Sequence, residues 1–156
     1  MTVPPGRLLG ADALGDARAR LEAAVGPAKV VAGWATVELD RAAEEVAGVF
    51  PGAAAYRAVP APDEGVLGAR TRILRFGEDR EILLLEPARE GRLAAALARY
   101  GEGTIALYLL ADAGAPARAR RAGFVLTSAG RGPYGPERLV IAGPRYGPFL
   151  ILAGLA

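Results

Sequence analysis

The segment GTIALYLLAD (103–112) decides the fold that the sequence predicts. It is apolar almost to its last residue, Asp112, and a short apolar run bounded by turn-forming residues is typical of a buried β-strand. The segment KVVAGWATVEL (29–39) has the same character. Each is followed by a short helical pattern, RAAEEVAGVF (41–50) in the first case and AGAPARARRAG (113–123) in the second. The sequence therefore contains one strand–helix unit twice.

Both units continue into further strands. In the first, ARTRILRF (69–76) and REILLLEP (80–87) are predicted to form a hairpin. In the second, the predicted strands are FVLTS (124–128), ERLVIAG (137–143) and YGPFLILAG (146–154). A few strands alone are marginally stable, so we expect the two units to bury their apolar faces against each other.

The remaining segments are assigned from turn residues and helical spacing. Residues 7–25 predict an amphipathic helix, and residues 89–101 predict another between the two units. The proline-rich segment 53–68 is interpreted as mostly loop, with one short strand at 56–59. The expected organisation is an N-terminal helical extension (1–28) and one domain (29–156) made of two modules, about 29–88 and 102–156.

Composition excludes several classes of function. The net charge is only +2 over 156 residues and acidic residues are interspersed with arginines, which argues against a nucleic-acid partner. Cysteine and histidine are both absent, so the sequence offers no thiolate nucleophile, no Ser-His-Asp triad and no Cys or His metal ligand. No segment is long and apolar enough to span a membrane, and no secretion signal is evident, so a cytoplasmic protein is expected.

The order LLLEP (83–87), then a short helix, then RYGEGTIALYLLAD (99–112) resembles the vicinal oxygen chelate superfamily. That superfamily includes glyoxalases, methylmalonyl-CoA epimerases, ring-cleaving dioxygenases and bleomycin-binding proteins. The resemblance covers residues 30–153 and is nearest to the epimerase-like branch. It implies an α+β fold in which two tandem βαβββ modules form a curved mixed sheet around a central cleft.

Enzymes of this superfamily hold a divalent metal with two ligands from each module. Carried over to this chain, the four ligand positions fall at Ala32, Leu83, Ala106 and near Ile151. Alanine, leucine and isoleucine provide no donor atom for a metal ion. We therefore expect no metal site and no cofactor.

Alternation along the strands predicts which side chains line the cleft. Trp34 and Thr36 are placed beside Ala32, and Tyr108 beside Ala106, so that Trp34 and Tyr108 would face each other. The candidate ligand-binding residues are Trp34, Thr36, Arg72, Leu83, Leu85, Ala106, Tyr108, Tyr146, Phe149 and Ile151. The alternative is that these side chains fill the cleft, with Arg72 in solvent.

The predicted function is that of a metal-independent glyoxalase-like protein that binds a hydrophobic or aromatic small molecule between its modules. The alternative is a metal-free lyase, epimerase or cyclase. In that case Tyr108, Glu81 with a pKa raised by desolvation, or an arginine would transfer the proton. Edge strands in each module predict a homodimer.

Overall fold

The computed structural model describes residues 14–49, 56–77, 79–142 and 147–155. Its helices and strands follow one another in the chain as a helix, a module, a linking helix and a second module. The elements are α1 (Gly15–Val25), β1 (Lys29–Ala35), α2 (Leu39–Val49), β2 (Arg57–Glu64), β3 (Ala69–Phe76), β4 (Arg80–Pro87), α3 (Arg92–Tyr100), β5 (Gly103–Asp112), α4 (Ala115–Arg121), β6 (Gly130–Gly132), β7 (Gly135–Val140) and β8 (Phe149–Leu155).

The strands form one eight-stranded sheet in the order β2-β3-β4-β1-β5-β8-β7-β6. Within the modules β1 is parallel to β4 and β5 is parallel to β8, and the modules join through the antiparallel pair β1 and β5. Each module has the order strand, helix and three strands, so the predicted α+β fold of two βαβββ modules is confirmed.

The sheet curves until its two outer strands meet. The Gly65 amide, just beyond the end of β2, donates a hydrogen bond of 2.8 Å to the Arg131 carbonyl in β6. We call this contact the seam, because it joins the edge of the first module to the edge of the second. The sheet is consequently a nearly closed barrel with an interior and an exterior face.

Helices cover the exterior of the barrel, while the linking helix contacts its interior cluster. Helices α1 and α4 pack over β5 and β8 with Leu107, Leu109, Leu150 and Leu152, and α2 packs over Leu74, Leu84 and their neighbours. Helix α3 contributes Leu93 and Ala96 to the interior cluster. Both faces of the central strands are thus buried, which explains why β5 reads as a continuous apolar run.

Two segments differ from the sequence prediction. Residues 57–64 form a full strand rather than a loop, because β2 lies at the edge of the sheet, where Pro60 and Pro62 can be accommodated without breaking an interior ladder. The predicted strand 124–128 forms only an isolated bridge from Leu126 to Val140, and the strand of that region is β6 instead.

Helix α1 is part of the hydrophobic core. The predicted helix 7–25 is observed from Gly15 onward, and residues 7–13 lie outside the described part of the chain. Leu14, Leu21 and Val25 are almost fully buried in the cluster over β5 and β8. No helix of the described residues is long and apolar enough to cross a membrane.

Replacing Leu21 with alanine should destabilise the protein by about 2–5 kcal/mol, because a fully buried leucine contributes transfer free energy and leaves a cavity when truncated. The control Arg18→Ala removes an i,i+4 ion pair with Glu22 on the exposed face of the same helix, and should change stability by about 0.5 kcal/mol or less. Urea denaturation measures both. Equal, small effects would contradict the placement of α1 in the core.

Candidate functional site

The centre of the barrel interior is a ring of four apolar positions on the four central strands. Gly33 on β1 lies opposite Leu83 on β4 and opposite Ala106 on β5, and Ala106 lies opposite Phe149 on β8. Residues directly opposite each other on neighbouring strands share a face of the sheet. These positions correspond to the level at which the resemblance places a metal, with Gly33 in place of Ala32 and Phe149 in place of Ile151.

The prediction that Trp34 and Tyr108 face each other is wrong. Trp34 packs on the exterior with α2, whereas Tyr108 is completely buried in the interior cluster. The sequence assignment of β1 was displaced by one residue, and such a slip moves every side chain to the opposite face. The strand also has a register shift between Gly33 and Trp34.

Two more of the predicted binding residues lie outside the cleft. Thr36 follows β1 and its hydroxyl donates to the Glu102 carboxylate at 2.9 Å, beside α2. Arg72 points to the exterior and forms an ion pair with Asp40 of α2. Tyr146 is outside the described residues.

The other predicted binding residues share the interior cluster, and both modules contribute to it. They are Leu83, Leu85, Ala106, Tyr108, Phe149 and Ile151. Each is at most 3% exposed. At this level, buried side chains from both modules occupy the space between the strands.

Gly33 is closely packed by side chains from both modules. A Cβ at this position would lie 3.0 Å from Leu85 Cδ1, 3.0 Å from Tyr108 Cε1 and 3.1 Å from Ala106 Cβ. Leu85 and Tyr108 are fully buried and have little room to move aside. A metal-binding side chain does not fit here, and the described residues contain no group of three or more acidic, His or Cys side chains arranged to hold a metal. The residues present therefore do not fit the divalent ion of the superfamily.

Two glutamates that the sequence analysis missed, Glu64 and Glu137, form the polar centre of the interior; we call them the acid pair. Both are 0% exposed, and their carboxyl groups lie close enough to affect each other's pKa. Glu64 accepts hydrogen bonds from the amides of Val66 at 2.5 Å and Leu67 at 2.9 Å, and from the Tyr108 hydroxyl at 3.3 Å. This donor set stabilises an ionised Glu64.

Glu137 is held differently. Its Oε2 accepts from the Tyr134 amide at 3.1 Å, while its buried Oε1 meets no donor among the described residues. A Cβ on Gly132 would overlap this Oε1, so a larger residue at position 132 would displace the carboxyl group. Oε1 is satisfied if it carries a proton and donates it to Glu64.

The pKa shifts of Glu64 and Glu137 agree with one proton shared between their carboxyl groups. Burial raises the pKa of Glu137 to about 8, and the negative charge of Glu64 contributes to that rise. Burial also raises the pKa of Glu64, against the opposing effect of its hydrogen-bond donors. Two desolvated carboxyl groups in contact cannot both ionise easily, so the pair retains a proton at neutral pH.

Tyr134, in the β6–β7 turn, lies against this interior. Its ring is 5.9 Å from that of Tyr108, and its hydroxyl donates to Glu81 at 2.6 Å, which connects the second module to the first. Lys29 also donates to Glu81, at 2.8 Å. Burial alone would raise the pKa of Glu81, but the hydrogen bonds from Lys29 and Tyr134 outweigh it and leave the pKa lowered. The expectation of a raised pKa at Glu81 is therefore wrong.

Comparison with known proteins supports the fold. The sequence matches no protein-family model and no curated protein. The structure resembles methylmalonyl-CoA epimerase from Mycobacterium tuberculosis, with a TM-score of 0.68 and 22% identity over 85% of this chain and 90% of that one.

Two further solved structures extend the comparison. A single-residue variant of methylmalonyl-CoA epimerase from Streptomyces coelicolor, in complex with 2-nitronate-propionyl-CoA, has a TM-score of 0.67 and 21% identity over 84% of this chain and 96% of that one. A mutant 4-hydroxymandelate synthase from the same organism has a TM-score of 0.54 and 16% identity over 83% of this chain and 50% of that one. The chain has the vicinal oxygen chelate fold. The superfamily resemblance inferred from LLLEP and its spacing is thereby confirmed at the level of the fold.

Replacing Gly33 with alanine should destabilise the protein by about 1–3 kcal/mol, because the new methyl group overpacks a closed interior. The matched control Gly48→Ala lies in α2 with nothing described within 4 Å, and should stabilise by about 0.5–1 kcal/mol through the higher helix propensity of alanine. Thermal denaturation measures the sign of the stability change in both variants. A neutral or stabilising effect of Gly33→Ala would show that the interior has spare room at the ring of four facing positions.

Proposed function

We propose that this protein is a metal-independent member of the vicinal oxygen chelate fold that binds a hydrophobic or aromatic small molecule between its modules. The observation that carries the metal-independent part is the packing over Gly33, which leaves no place for a ligand side chain. Apolar residues at the three facing positions, Leu83, Ala106 and Phe149, supply no donor either.

Small-molecule binding is supported by the contrast between the walls of the interior and its polar centre. A mostly apolar enclosure with a few convergent polar groups is the usual composition of a ligand site. Here the polar groups are the acid pair and the hydroxyls of Tyr108 and Tyr134. The epimerase variant with this fold, described above, is in complex with 2-nitronate-propionyl-CoA, which makes an acyl-CoA one reasonable probe.

Because side chains fill the interior, entry of a ligand requires a side chain at its boundary to move. The buried groups behind Tyr134 have no contact with solvent, and Tyr134 itself is partly exposed at the boundary. A single side-chain hydrogen bond joins Tyr134 to Glu81. Tyr134 follows Pro133 in a two-residue turn that ends at Gly135. We therefore propose Tyr134 as the cover of the site, which swings away when a ligand binds.

A proton-transfer enzyme is the second candidate, and the shared proton of the acid pair favours it. The acid pair is better suited to this role than Glu81, whose carboxylate is stabilised by Lys29, or Tyr108, whose pKa burial raises well above its ordinary value. In this scheme Glu137 would donate a proton and Glu64 would accept one. Exchange of a carbon-bound proton of a bound compound with D₂O would distinguish this candidate from binding alone.

The homodimer and the cytoplasmic location remain predictions. Val125 and Ile141 are 63% and 53% exposed and are joined by a backbone hydrogen bond, so they form a small apolar surface beside β7 that is compatible with self-association. Sedimentation velocity determines the oligomeric state directly.

Protein purified without chelator should contain much less than one equivalent of any divalent metal, because no donor set is present at the central ring. Added Co²⁺ should leave the melting temperature unchanged. Elemental analysis and differential scanning calorimetry make these measurements. A stoichiometric metal whose removal lowers the melting temperature would contradict metal independence.

Replacing Tyr134 with phenylalanine should strengthen binding about tenfold. The substitution removes a hydrogen bond to a charged acceptor, typically worth about 1.5–3 kcal/mol, and so raises the population of the open form that a ligand requires. Isothermal titration calorimetry with a panel of aromatic and hydrophobic compounds, including propionyl-CoA, measures the affinities.

The matched control is Tyr56→Phe, since Tyr56 packs on the exterior beside Trp34 and should not affect the cleft. Absence of binding by every compound to both the native protein and Tyr134→Phe would contradict the binding proposal. Equal affinities for native protein and Tyr134→Phe would contradict the role of Tyr134 as a cover.

A further inference from the structure

We infer that the acid pair is a latch that holds the seam closed while Glu64 and Glu137 share one proton, and that opens the seam when the proton leaves. The latch acts on the closure of the barrel. Its action is the same whether or not the interior binds a small molecule, and so does not rest on the proposed function.

The location of the pair supports a role in closure. Glu64 is the last residue of β2, in the first module, and Glu137 lies in β7, in the second. The seam hydrogen bond from Gly65 to Arg131 is adjacent in sequence to Glu64, and Gly130 of β6 lies directly opposite Glu137. The pair therefore connects the two edges of the sheet at the place where they meet.

The sequence around Glu64 turns its side chain inward. Val59 and Ala61 of β2 pack against the interior, and simple alternation would next point Asp63 inward. A register shift between Ala61 and Glu64 changes this, so that Glu64 is buried and Asp63 is exposed. Because of this register shift, the Glu64 carboxyl group lies in the interior beside that of Glu137.

In the described part of the chain, no positively charged side chain is paired with either carboxyl group. Arg89 and Arg92 bond instead to the nearby carbonyl groups of Gly65 and Val66. The titratable and charged groups that face the pair or its immediate neighbours are Tyr108 of β5, Tyr134 of the β6–β7 turn, Glu81 of β4, Lys29 of β1, Arg75 of β3, and Arg89 and Arg92 before and in α3. A proton is thus the available means of keeping two buried carboxyl groups in contact.

The direction of the pH dependence follows from the pKa of Glu137, which burial raises to about 8. In the open form the carboxyl group is hydrated and its pKa returns to about 4.3. The closed form therefore binds one more proton than the open form between about pH 5 and pH 8, and closure weakens as the pH rises through this range. The equilibrium constant for closing should fall by up to about tenfold per pH unit.

Native-state hydrogen exchange tests the latch. Protection factors of the seam amides, those of Gly65, Val66, Leu67 and Tyr134, should fall by up to about a hundredfold between pH 6 and pH 8 after correction for intrinsic exchange. In Glu137→Gln, whose amide donates to Glu64 at every pH, they should stay nearly constant. The control Glu45→Gln, on the exposed face of α2, should behave as the native protein does.

Three results would overturn the inference. The first is a seam protection that has the same pH dependence in the native protein and in Glu137→Gln. The second is an equal loss of protection in the amides of β5, since that would indicate global unfolding. The third comes from ¹³C NMR of the glutamate carboxyl groups, which should show one member of the pair titrating near the value for Glu137 given above; two groups with ordinary pKa values would rule out a shared proton.

Discussion

The close approach of β1 to the side chains around it is the constraint on which the structure depends. Because Gly33 has no side chain, Leu85 of the first module and Tyr108 of the second can both occupy the space over its Cα. The two modules thereby share one interior cluster at the level where the superfamily's enzymes hold a metal. Packing around Gly33 joins the two halves.

Burial of Tyr108 determines much of what surrounds it. A buried hydroxyl requires a partner, and Tyr108 finds it in Glu64. A buried carboxylate in turn requires several donors. The amides of Val66 and Leu67 supply two, and Glu137, whose pKa burial raises to about 8, can supply a third when it is protonated. One aromatic side chain in the core thus leads, step by step, to the acid pair at the seam.

The hydrophobic runs predicted the central strands, because a short apolar run bounded by turn-forming residues is typical of a strand buried on both faces. The interior faces of β4, β5 and β8 also followed from alternation. Alternation failed on β1, where a one-residue displacement inverted the strand, and it could not find Glu64, whose inward orientation depends on a register shift. Glu137 shares its face with Leu139, a signal that was available, but charged residues are so rarely buried that the pattern alone does not reveal them.

The central claim is that side chains, and not a metal, fill the middle of this barrel. A crystal structure grown in the presence of Co²⁺, with anomalous data at the cobalt absorption edge, tests it most directly. The account predicts that the Tyr108 ring and Leu85 will be in contact over Gly33, with no anomalous peak among the four facing positions. An anomalous peak there, or a Tyr108 ring turned away from a solvent-filled gap, would contradict it.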